Sequence, residues 1–114
     1  MREMNLKGGT LQWNVLDFHL MEQLQTGQWP GEDLITIIYP TCVIDVGWYG
    51  GKNGLYCIKV IEKNTNITET YFDGSPVIWN WVHPYADIPC LDLDDMYSQL
   101  QRAIDIYPEQ ISNK

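Results

Sequence analysis

Two histidines, three cysteines and a few carboxylates set in apolar surroundings are the residues of this sequence whose types could do chemistry. His19 and His83 lie 64 positions apart and do not combine with the cysteines into a metal-ligand cluster, and Cys42, Cys57 and Cys90 contain no Cys-x-x-Cys pair. Asp92, Asp94 and Asp95 open like a calcium loop but lack its glycine and terminal glutamate, so they are read as the start of a helix. Cys90 with His83 carries no known nucleophile signature. Asp45 is an isolated acid within an apolar strand, where burial would raise its pKa; exposure or an ion pair with Lys59 are the plainer alternatives. Gly50-Gly51-Lys52-Asn53-Gly54 has the glycines and lysine of a phosphate loop but no helix behind it, and a hairpin explains it at lower cost. No catalytic residue, metal or cofactor is therefore expected.

The segment most suggestive of function is 71–95, which mixes aromatic and acidic side chains: Tyr71, Phe72, Asp73, Trp79, Trp81, His83, Tyr85 and Asp87, then the acidic helix start. Trp and Tyr anchor protein interfaces, and carboxylates among them pair with Lys or Arg of a partner. The competing reading places Trp79 and Trp81 in the core under a helix. Charge points the same way as the aromatics. Residues 64–114 hold eight acids and two bases, residues 1–63 seven acids and five bases, and the whole chain carries −8. Such a surface repels nucleic acid and anionic membranes and steers basic partners, although acidity also serves solubility alone.

These residues must be positioned by a fold, and the pattern predicts one. The 114 residues, 45% apolar, suit a single domain over residues 1–114. Trp13, Leu16, Leu20 and Leu24 recur at helical spacing, which predicts a helix within 10–26, although Leu11-Trp13-Val15 alternates as a strand does. β-Branched and aromatic runs predict strands at 34–39, 42–49, 55–63, 67–72 and 77–82, joined by connections too short for parallel crossovers. Asp92 as N-cap, a Leu91–Met96 staple and an apolar stripe predict a final helix over 93–107, ended by Pro108. The fold expected is α+β: an antiparallel four- to five-stranded meander sheet packed by an N-terminal and a C-terminal helix. The odd, scattered cysteines and the lack of an apolar leader or spanning segment predict reduced thiols in the cytoplasm.

The layout of Leu11-Gln12-Trp13 opening a helix, Trp29 before the first strand, Gly47-Trp48 in the second and an acidic last helix resembles small immunity proteins of bacterial toxin systems, those of contact-dependent inhibition among them. The resemblance implies a cytoplasmic protein that binds a cognate toxin domain, often a basic nuclease, and blocks its active site or substrate path. It transfers no individual residue. From charge and clustering, the residues expected to contact such a partner are Asp73, Trp81, Tyr85, Asp87, Asp92, Asp94 and Asp95, the acids standing in for phosphates. A second reading is a small-ligand pocket or minor enzyme site around Asp45, Cys57 and His83. A third is a structural or oligomeric module, hinted at by a first helix apolar on two sides.

Overall fold

β-Branched residues fill the middle of the chain, and there the backbone pairs. The computed structural model describes residues 2–18, 20, 34–64 and 69–114. These form strands β1 (Thr10–Asn14), β2 (Ile35–Ile38), β3 (Cys42–Tyr49), β4 (Leu55–Glu62) and β5 (Ala86–Cys90), followed by helix α1 (Leu93–Ser112). The strands make one open sheet in the order β1-β2-β3-β4-β5, each antiparallel to its neighbour. This is the expected α+β meander. Gly50, at φ 101°, opens the β3–β4 connection in a conformation that favours glycine. Gly54 closes it, with a Cβ there falling 2.1 Å from the Tyr49 carbonyl oxygen.

Period-two alternation divides the sheet. Ile35, Ile37, Cys42, Ile44, Val46, Tyr56, Ile58, Val60 and Cys90 pack in one core with Met96, Tyr97, Leu100, Ala103, Ile104 and Ile111 of α1. Each large aliphatic side chain buried there contributes roughly 1.5–3 kcal/mol by leaving water. The other face carries Val43 and Ile61, both buried, and a polar row in which Thr36, Asp45, Lys59 and Asp87 are successive cross-strand partners on β2 to β5.

Three elements differ from expectation. Residues 10–14 are an edge strand rather than part of a helix, with a register shift between Leu11 and Trp13; the alternation of Leu11-Trp13-Val15 wins once β2 offers a partner. Helical backbone begins only at residue 16, where Leu16 is fully buried in the core, and residues 21–26 of the expected helix lie outside the described residues. Of the strands expected at 67–72 and 77–82, residues 67 and 68 lie outside the described residues, and the rest joins no sheet. Only the isolated bridges Thr70–Pro76 and Lys63–Trp79 form there. The fifth strand is instead Ala86–Cys90, whose Pro89 is tolerated because β5 lies at the sheet edge.

The final helix begins as expected but ends later. Asp92 accepts a bond from the Asp95 amide at 2.7 Å, and Asp95 returns one by accepting from the Leu91 amide at 2.8 Å. The staple does not form, since Leu91 is 92% exposed while Met96 is buried. Pro108 lies inside α1. An interior proline costs about 3 kcal/mol. Here the last turn is held by buried Ile111, by the Thr41–Ser112 hydroxyl pair at 3.1 Å and by the Lys114–Glu62 ion pair at 2.7 Å.

Candidate partner-binding site

Between β4 and β5 the chain leaves the sheet and returns, and this excursion carries the aromatic segment singled out above. It continues β4 as a narrow ribbon. The Asn80 amide donates to the Glu62 carbonyl at 2.9 Å, the Asn64 amide to that of Ile78 at 2.7 Å, and the Val77 amide to that of Glu69 at 3.0 Å. Asn64 reinforces the stem by donating its Nδ2 to the Val77 carbonyl, and the Asn80 Oδ1 accepts from the His83 amide. The tip is a tight turn in which the Tyr71 amide donates to Ser75 and the Gly74 amide to Tyr71. Gly74 takes φ 87°. Pro76 and this turn explain why the arms do not extend into a regular ladder.

On this ribbon Trp79, Trp81 and His83 of one arm, with Asn80 and Val82 between them, line a cleft of about 490 Å³ together with Glu69 and Tyr71 of the other. Phe72 at the tip is fully exposed, Val82 is 80% exposed, and Tyr71 and Trp81 are each close to half exposed. Glu69 makes no side-chain hydrogen bond or ion pair among the described residues. Alternation placed Trp79 and Trp81 on one face at the sequence level. Glu69 and Val82 carry no signal in the sequence, because only the pairing of the two arms brings them into the same cleft as the tryptophans.

Of the residues expected at the interface, Asp73 and Trp81 lie on the excursion. The Ser75 hydroxyl and amide both donate to Asp73 and hold its carboxyl below the ordinary carboxylate range, charged and exposed at the tip. Tyr85 sits at the root. Its ring packs edge-on against Tyr107 at 5.9 Å, its hydroxyl accepts from Gln110, and the Lys114 ammonium lies 4.9 Å from its ring centre. Asp87 is in β5, on the face away from α1, and accepts from the Cys57 thiol at 2.6 Å. Asp92 and Asp95 cap α1, and Asp94 pairs with Arg2. The excursion leaves the sheet where β5 begins, whereas α1 starts where β5 ends. The five residues of β5 put about 17 Å between those ends, so Asp73 and the Asp92–Asp95 group do not merge into one patch.

Asp45, Cys57 and His83 are likewise not assembled. Asp45 is buried and accepts from the Thr36 hydroxyl at 2.8 Å. Cys57 shares its sheet face, opposite Gly47, but His83 lines the excursion cleft, which neither of the other two reaches. Burial, followed by the hydrogen bond to Asp87, pushes the Cys57 thiol up to about 12, far from the thiolate a nucleophile needs. Among the described residues no three His, Cys, Asp or Glu side chains group to hold a metal ion, and no helix is long and apolar enough to cross a membrane.

Fold and site together define an open antiparallel α+β scaffold that presents an aromatic and acidic ribbon beyond its sheet. Compared with protein-family models, curated proteins and solved structures, the chain has no match.

Proposed function

We propose that this domain is an inhibitory binding protein that neutralises a basic, nuclease-type bacterial toxin domain by covering its active site or substrate path, and that the excursion between β4 and β5 is its main contact surface. The observation that carries the proposal is the exposure of Tyr71, Phe72, Trp81 and Val82 together on one ribbon, where Tyr71, Trp81 and Val82 share a cleft with Glu69. Large apolar side chains gathered in this way outside a core mark interaction sites, and Trp and Tyr are over-represented among residues that dominate binding energy. The net charge of −8 favours a basic partner and speeds encounter with it. The resemblance to immunity proteins supplies the class of that partner.

The test is to mix the purified chain with the toxin domain encoded beside it and measure binding by calorimetry, with growth protection on co-expression as the cellular readout. A tight complex is expected, with Phe72→Ala and Val82→Ser together weakening it at least tenfold while leaving thermal stability unchanged. Absence of a complex, or a complex indifferent to both substitutions, would overturn the proposal or its placement on the excursion, respectively.

A further inference from the structure

We propose, resting on the binding reading above, that the cleft lined by Glu69, Tyr71, Trp79 and Trp81 is an anchor pocket for an arginine side chain of the partner. The molecule already shows the required arrangement twice, with its own cations. The Arg2 guanidinium lies 4.5 Å from the ring centre of Tyr97 and pairs with Asp94. The Lys114 ammonium lies 4.9 Å from the ring centre of Tyr85 and pairs with Glu62. In each case a cation sits between an aromatic face and a carboxylate, where the ring quadrupole and the anion both attract it. The excursion cleft has the same two components, three aromatic rings in place of one and again a single carboxylate, but no Lys or Arg lines it among the described residues.

Three features select guanidinium from among cations. A planar group stacks on Trp and Tyr faces as an ammonium does not, and it meets a carboxylate through two parallel N–H bonds. Asn64 spends its Nδ2 on the Val77 carbonyl, which leaves its Oδ1 to accept a further N–H at the cleft wall. The volume of about 490 Å³ admits a whole arginine side chain with room for water. Charge complementarity is local as well as global: Glu69 has no cation of its own among the described residues, and the chain as a whole is acidic.

The test titrates the intact protein with N-acetyl-arginine methylamide while following the indole N–H resonances by NMR. Those of Trp79 and Trp81 are expected to shift saturably in the low-millimolar range, as a fragment of that size allows. The Trp48 resonance, tied to the Gly51 carbonyl at 2.7 Å, is expected to stay in place. Glu69 is exposed, so Glu69→Gln keeps the fold; it is expected to weaken the probe about tenfold, the scale of losing one charge-assisted contact beside aromatic rings. The neutral isostere N-acetyl-citrulline methylamide is expected to give no saturable shift, and the lysine analogue a weaker one. Equal shifts with citrulline, equal affinity for lysine, or unmoved Trp79 and Trp81 would each overturn the inference. If the toxin domain binds through Phe72 and Val82 but ignores Glu69→Gln, the pocket fails and the binding function stands. If the arginine probe fills the cleft but no basic protein partner binds, the converse holds.

Discussion

The three cysteines are held as thiols by their surroundings. Burial pushes Cys42 and Cys90 up to about 11, and burial together with donation to Asp87 pushes Cys57 up to about 12, from an ordinary value of 9.0. Because the folded values are raised, the unfolded chain ionises first. The stability these thiols carry is full below pH 9 and is lost as pH rises toward 12. Thermal melts are therefore expected to hold level from pH 7 to 9 and fall by pH 11. Replacing all three cysteines by alanine should leave the decline above pH 10 that the buried tyrosines contribute, Tyr39, pushed up to about 12 by burial, together with Tyr56 and Tyr97, which burial also raises. In the same spirit, iodoacetamide at pH 8 should label none of the three until denaturant is added. Rapid labelling of folded Cys57 would contradict the burial and bonding described.

At the scale of elements, α1 and the β3–β4 hairpin make separable demands. Asp92→Ala removes the acceptor for the Asp95 amide and should cost about 1 kcal/mol in urea unfolding. Leu91→Ala should be neutral to within roughly 0.5 kcal/mol, because that side chain packs on nothing. A large loss there would mean the staple forms after all. Gly54→Ala places a methyl against the Tyr49 carbonyl and should destabilise by roughly 2–3 kcal/mol, well beyond a propensity effect. Edge strand β5 also belongs at this scale. Its proline disguises it in the sequence, and only its pairing from Tyr56–Cys90 to Val60–Ala86 reveals it.

For the whole molecule, the sheet separates two acidic regions. One, at the start of α1, is tied up in capping and in the Arg2 contact; the other, at the excursion tip, stands among exposed aromatics. The consequence is a division of labour in binding. Association with a basic partner should slow with added salt through the net charge of −8, whereas Trp81→Ala or Phe72→Ala should act on dissociation. Stopped-flow measurements between low and physiological salt separate the two. The substitutions Asp92→Asn and Asp94→Asn should change association modestly and dissociation little, since those side chains lie at the far end of β5.

The sequence by itself determined the central hairpins, the start of α1 and the aromatic content of the ribbon. These rest on local causes: β-branched runs broken by glycine at Gly50 and Gly54, an N-cap at Asp92, and the spacing of Trp79 and Trp81. Only the tertiary structure decided that Thr10–Asn14 is a strand, since its alternation becomes decisive when β2 supplies hydrogen bonds. It also carried α1 past Pro108, because Ile111, Ser112 and Lys114 find partners in the core, in the turn before β3 and at the end of β4, respectively. The candidate site shows the same division. Which aromatics and acids were present was legible, but which of them meet depends on where the two arms cross and which end of β5 each acid falls on. Those are long-range facts that no local pattern encodes, and they leave the acidic helix start apart from the cleft between Glu69 and Trp81.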